Sequence, residues 1–348
     1  MKLRILIPAL VIVAAGCGSG SNAEEPLTNG ESKPALTIAL VFDEAGRGDK
    51  SFNDSAARGL DQVAEELKAR TREIDSKSAS DYKPNFESLV FDKPDLIIGV
   101  GVSMDSALHE AAKANPSQKF ALIDMPSRAD NVLGVTFKEE EGSFLAGLLA
   151  GMTTKSNRVG FVGGKNIPLI KKFEVGFRAG VLTANPNAVV TAKYTEDWSD
   201  IQKGKEAALS LYNTGADIVY HAAGRCGLGV INAAKEKGKL AIGVDSDQDH
   251  IEPGSVLTSM VKSVDKAVFE AARMVRDGTF KGRTLELGIK EGYIGLSEPK
   301  DYTKPLMPNG ALEAVDEAKK MISDGALIVP KSEAELASFK PPRLASLQ

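Results

Sequence analysis

The stretch from Leu36 to Leu60 limits the possible folds more than any other part of the chain. Leu36 to Phe42 is a short apolar run without polar alternation, the pattern of a strand buried on both faces. Asp43 stands where that strand ends, and Gly46 and Gly48 permit a tight loop. Asn53 and Asp54 are good N-caps, after which Ala56, Leu60, Val63 and Leu67 share one helix face. Strand, polar glycine loop and helix open a doubly wound α/β unit, where ligands sit beyond the carboxyl ends of the strands. Asp43, Asp49, Phe52 and Asn53 are therefore candidates for a ligand site.

The pattern continues. Thr71 to Lys83 is polar and holds a short second strand. Leu96 to Val102 is another buried strand, followed by a helix capped by Ser103 and closed by Pro116. Phe120 to Asp124 and Val132 to Phe137 are further strands. Glu139 to Met152 reads as a helix with acids in its first turn, and Gly147 and Gly151 signal close helix packing. A second block then alternates strands (Arg158 to Val162, Val189 to Tyr194, Asp217 to His221, Leu240 to Asp245) with helices (Phe173 to Thr183, Ile201 to Tyr212, Leu228 to Lys237). Val256 to Met260 is a strand, Val264 to Arg276 a helix, Leu285 to Tyr293 extended and Gly310 to Ile322 helical. From Pro330 the chain reads as a loosely attached tail. Such alternation means parallel sheets, and two similar blocks in 348 residues mean two lobes.

The first residues are of another kind. Lys2 and Arg4 precede an apolar run, Ile5 to Ala15, too short for a comfortable membrane span. Ala14, Ala15 and Gly16 lead into Cys17, which resembles a bacterial lipoprotein signal cleaved before a lipidated Cys17, although Ala14 stands where leucine is usual. Residues 1–17 are thus read as a signal peptide and 18–35, rich in Gly, Ser, Asn, Glu and Pro, as a flexible tether. Cys226 is the only other cysteine, so lipidation of Cys17 leaves no intramolecular disulfide.

Three strands end in a carboxylate: Asp43, Asp124 and Asp245. Each alone would be a turn or helix cap. Together, at equivalent ends, they form an acceptor set suited to hydroxyls, ring N–H or amino groups and hostile to phosphate. Phe52, Phe173 and Phe177 are stacking candidates, with core packing the stronger reading for Phe173. Trp198 lines a cleft or plugs a core. The glycine loops Phe161 to Gly164 and Gly224 to Gly229 match no phosphate cradle. His109, His221 and His250 have no metal spacing, and no nucleophile motif is present. No metal or cofactor is called for, and a net charge of -4 gives no reason to expect nucleic acid.

DKSFN (Asp49 to Asn53), FKEEEGSFLAG (Phe137 to Gly147), FEVGFRAG (Phe173 to Gly180), GLGV (Gly227 to Val230), IGVDSDQ (Ile242 to Gln248) and LTSMVKSVD (Leu257 to Asp265) occur in this order. They resemble the basic membrane protein family, lipoproteins of the purine nucleoside receptor type that serve ABC transporters as substrate-binding subunits. The resemblance implies a type I periplasmic binding fold, α/β, with two Rossmann-like lobes joined by three crossovers near Phe137, Ser259 to Lys262 and Lys290. One lobe would be 36–137 plus 262–290, the other 138–261 plus 291–330, with 331–348 as tail. It implies a base held between Phe52 and Phe177, its edge bonded by Asn53 and Asp124, and ribose hydroxyls held by Asp245 and Lys262, with Asp43 and the Gly224 backbone nearby. It further implies no catalysis, a monomer, a purine nucleoside as ligand, permease and ATPase subunits as partners, and an extracytoplasmic location on a lipid anchor. Arg225 and Cys226 depart from the small residues usual in the family. The residues alone leave open a sensor for another polar ligand, or a nucleoside-cleaving enzyme using the acids.

Overall fold

The computed structural model describes residues 35–347. The signal, Cys17 and nearly all of the tether lie outside them. The chain builds two six-stranded sheets in sequence order. It opens with β1 (Thr37–Val41), α1 (Phe52–Glu66), β2 (Arg70–Ile74), α2 (Tyr82–Asp92), β3 (Leu96–Val100), α3 (Asp105–Ala114), β4 (Phe120–Ile123) and β5 (Val132–Phe137). α4 (Glu139–Thr153) leads to β6 (Arg158–Gly163), α5 (Pro168–Ala184), β7 (Val189–Tyr194), α6 (Ile201–Asn213), β8 (Ile218–Ala222), α7 (Cys226–Lys237), β9 (Leu240–Asp245) and β10 (Val256–Lys262). The chain then returns to the first sheet through α8 (Val264–Arg276) and β11 (Arg283–Leu287), and to the second through β12 (Ile294–Leu296), α9 (Ala311–Ser323) and α10 (Glu333–Ser338).

The strand orders are β11-β5-β4-β3-β1-β2 and β12-β10-β9-β8-β6-β7. The two halves therefore share one topology, with β4 equivalent to β9 and β5 to β10. They differ at the edge: β11 is parallel to β5, β12 antiparallel to β10. Alternate residues of β1 serve different faces. Ile38 and Leu40 pack with Ala56, Leu60 and Val63 of α1, while Ala39 and Val41 pack with Tyr82, Phe86 and Leu89 of α2. This is why the run is apolar throughout.

α4 and α5 approach closely because their contact is made of glycines. A Cβ on Gly147 would lie 2.1 Å from the Phe177 carbonyl oxygen, and one on Gly180 2.0 Å from that of Phe144. The glycine pair in α4 thus serves packing inside the protein, and no helix among the described residues is long and apolar enough to cross a membrane.

Several expectations change. α2 fills residues 84–92, to which the sequence reading assigns no element; Tyr82, Phe86 and Leu89 are its buried stripe. The first helix is not capped by Asn53 or Asp54. It begins at Phe52, and the Asp49 carboxylate takes the amides of Ser51 (2.9 Å), Asn53 (2.8 Å) and Asp54 (3.1 Å). The tail is not loose: Glu333 pairs with Arg178 at 2.7 Å, Phe339 packs edge-on to Phe144 and Leu344 is buried.

Gly180→Ala is expected to lower unfolding free energy by about 1–3 kcal/mol, the usual range for overpacking. Gly295→Ala, where a Cβ meets nothing within 4 Å, is expected to be close to neutral. Urea denaturation compares them, and equal midpoints would contradict the packing account.

Candidate functional site

A cavity lies between the two sheets at the carboxyl ends of their strands. It contains about 550 Å³ of space between protein atoms, part of it open to solvent. Asp43, Gly101 and Asp124 line it just beyond β1, β3 and β4; Gly224 follows β8, and Asp245 and Lys262 end β9 and β10. Strand order reverses between β1 and β3 and between β6 and β8, so the cavity occupies the switch points of both sheets.

Its acceptors are held by bonds that leave one side free. Asp43 Oδ1 accepts from the Ala45 amide (2.9 Å) and from Asn53 Nδ2 (2.8 Å). Asn53 Nδ2 also donates to Asp49 Oδ2 (3.1 Å), so its Oδ1 faces the other way, buried and without a partner among the described residues. Burial pushes the Asp43 carboxyl up to about 7, against those two hydrogen bonds. Asp124 and Asp245 both adopt left-handed backbone, at φ 75° and 63°, a conformation aspartate tolerates better than most residues. Asp245 Oδ2 accepts from Ser51 Oγ at 2.5 Å, and burial pushes this carboxyl up to about 6 against the nearby Lys262 ammonium.

Among the described residues, Lys262 is the one basic side chain lining the cavity. Its Nζ donates to Asp124 Oδ1 (2.8 Å) and Oδ2 (3.0 Å) and to Glu139 Oε1 (3.4 Å). It also lies 4.9 Å from the ring centroid of Phe52, 5.0 Å from Phe137 and 5.5 Å from Phe173. Burial works against the ammonium, but the carboxylates of Asp124, Glu139 and Asp245 outweigh it and hold its pKa above the usual lysine range.

Asp43, Phe52, Asn53, Asp124, Gly224, Asp245 and Lys262 are thus all brought to one cavity. Phe177 is not. It lies fully buried behind it, its ring 5.1 Å from that of Tyr220, and Phe173, one turn nearer the helix start, lines the cavity instead. Lys262 is hydrogen-bonded to Asp124 and Glu139, and Asp245 acts on it through charge alone. Glu139 and Ser51 do not line the cavity but hydrogen-bond Lys262 and Asp245, which do; the pattern of strand ends does not mark them, although both sit inside the family motifs. Trp198 lines the cavity and covers Gly164, where a Cβ would come within 2.1 Å of its ring. The cavity thus joins flat apolar walls (Phe52, Phe173, Trp198) to carboxylate and amide acceptors.

Comparison with known proteins decides the family. Residues 36–333 match the family described as ABC transporter substrate-binding protein PnrA-like. The chain belongs to this family. Its members are solute-binding proteins of ABC transporters, not enzymes. The chain is 38% identical to the CD4+ T-cell-stimulating antigen of Listeria monocytogenes, over 95% of this chain and 98% of that one. It is 36% identical to the ABC transporter nucleoside-binding protein BmpA of Lactococcus lactis, over 95% and 99%. A solute-binding protein of an ABC transporter system from Aeropyrum pernix superposes with a TM-score of 0.80 at 29% identity, over 87% of this chain and 96% of that one. The fold is that of the type I periplasmic binding proteins.

The acids give stability a pH dependence of definite sign. With Asp43 near 7 and Asp245 near 6 in the folded chain, against 3.8 for a free carboxyl, the folded state binds more protons across that window. Stability contributed by these groups is therefore fully present below pH 3.8 and is lost as pH rises through 6 and 7. Asp43→Asn is expected to remove on the order of 3 kcal/mol of the fall between pH 5 and pH 8. Urea midpoints of both proteins at the two pH values test this, and parallel profiles would contradict it.

Proposed function

We propose that the protein is the extracytoplasmic, lipid-anchored receptor of an ABC importer and binds a purine nucleoside in this cavity. The observation that carries the reading is the pairing of flat walls with unmatched acceptors. Phe52 and Phe173 offer faces for a base, with Trp198 closing the same space. Asn53 Oδ1, Asp43 and Asp245 seek donors, as base N–H groups and ribose hydroxyls supply. A phosphate would meet Asp43, Asp124 and Asp245 with only Lys262 to balance them, and that ammonium is already engaged by Asp124 and Glu139. The nucleoside-binding name of the Lactococcus lactis relative supports the ligand class. Cys17 is the proposed lipid site, and permease and ATPase subunits are the proposed partners. The two halves act as lobes that close on the ligand as a monomer; no bond is made or broken.

Isothermal titration with adenosine, guanosine, inosine and uridine is expected to show heat with the purine nucleosides and none with AMP. Silence with all four nucleosides would sink the reading. Asp245→Ala is expected to weaken binding by about 1–3 kcal/mol, the range for a buried polar partner left unpaired. An unchanged affinity would move the hydroxyl contacts elsewhere.

A further inference from the structure

Two contacts join the halves at the mouth of the cavity without lining it. Glu44 and Lys165 each lie just past the first strand of their own sheet, β1 and β6, and Lys165 Nζ donates to Glu44 Oε1 at 2.9 Å. Lys165 Nζ also lies 5.8 Å from the ring of Trp198. Arg225, next to cavity-lining Gly224, donates from Nη2 to the carbonyl oxygen of Arg47 at 3.2 Å. Gly48, at φ +89°, would place a Cβ 3.1 Å from that same Nη2, so the β1–α1 loop leaves room for the guanidinium. The Arg47 side chain takes no part and pairs with Glu73 at 2.6 Å.

These contacts differ from the two that stand at the cavity itself. Ser51 to Asp245 and Lys262 to Asp124 are buried and use residues at the cavity wall or directly behind it. The Lys165–Glu44 pair is partly open to water, with side chains 33% and 21% exposed, and neither residue lines the cavity. Among the described residues, Arg225 makes its side-chain hydrogen bond only across the gap. Contacts of this kind exist only while the halves are together and contribute little to either half alone.

We propose that Lys165–Glu44 and Arg225 form a rim latch that sets how long the ligand is held, separately from the cavity residues that select it. Closure on a ligand is part of the function proposed above, and the latch rests on that reading. Contacts made after capture act on release, where most affinity differences among variants of one interface lie. A partly exposed ion pair is modest in strength and screened by salt, so each contact is expected to change release by about two- to five-fold. Lys165, Glu44 and Arg225 are positioning residues in this scheme.

The single tryptophan, Trp198, supplies the readout. Stopped-flow release of guanosine from the full chain is expected to be about two- to five-fold faster in Glu44→Gln and in Arg225→Gln, and faster still in the double variant, with association within about two-fold of the parent. Raised salt should speed the parent toward Glu44→Gln, which should itself lose salt sensitivity, and Arg225→Lys should keep the parent's rate. Acrylamide quenching of Trp198 in the ligand-free protein should rise in both glutamine variants. Unchanged release and quenching in the double variant, or slower association with unchanged release, would overturn the latch. Increased quenching in a protein that binds none of adenosine, guanosine, inosine and uridine would overturn the nucleoside reading and leave the latch standing.

Discussion

One buried ammonium organises the site. Lys262 ends β10 of the second sheet, yet its Nζ is bound by Asp124 at the end of β4 in the first and by Glu139 at the start of α4. Stripping a cation of water costs several kcal/mol, and it survives only where partners are well placed. Here Asp124 uses both oxygens, Glu139 adds a third contact and the Phe52, Phe137 and Phe173 rings present their π-electron faces. The same group holds the floor of the cavity, offsets the acids around it and ties the ends of the two sheets to each other.

Packing within a half and between halves is built from different chemistry. Within the second half, α4 and α5 meet through glycines at near-backbone contact, and within the first, α1 and α8 do so at Gly59, where a Cβ would lie 2.4 Å from the Asp265 carbonyl oxygen. Such contacts tolerate no sliding. Across the gap, beside an apolar cluster that includes Phe52, Phe137 and Phe173, run polar contacts: Ser51 to Asp245, Gln248 Nε2 to the Lys50 carbonyl oxygen (3.1 Å), Arg58 to Ser246 Oγ (2.9 Å). Polar interfaces of this kind separate and re-form more readily than apolar cores, so stiff halves on a yielding seam are the expected mechanical outcome.

Much of the fold and the site is legible in the chain because strand ends and helix starts carry strong local signals. Asp43, Asp124 and Asp245 follow apolar runs, and DKSFN opens α1, so local pattern is enough to place the acids and Phe52. Depth and partnership are not legible in the same way. Phe173 and Phe177 lie four residues apart on one helix face, and nothing in that spacing says which turn meets the gap. The answer lies in where α5 begins: Pro168, at its start, puts Phe173 near the strand ends and Phe177 about 6 Å deeper. Asp124 and Asp245 are topological equivalents, so composition cannot say which one Lys262 meets. α2 is hidden because Pro84 and the charges around Phe86 mask its stripe, although a proline is harmless in a first turn. In the tail, Phe339 and Leu344 are isolated among prolines and polar residues and have no period to betray their packing.

The path of the chain through the sheets also bears on synthesis. β11, the edge of the first sheet, begins at Arg283, and β12, the edge of the second, at Ile294. A ribosome that has made the chain only as far as Phe280 has delivered neither sheet whole. The two halves are finished almost together, so neither can serve as a completed template on which the other assembles.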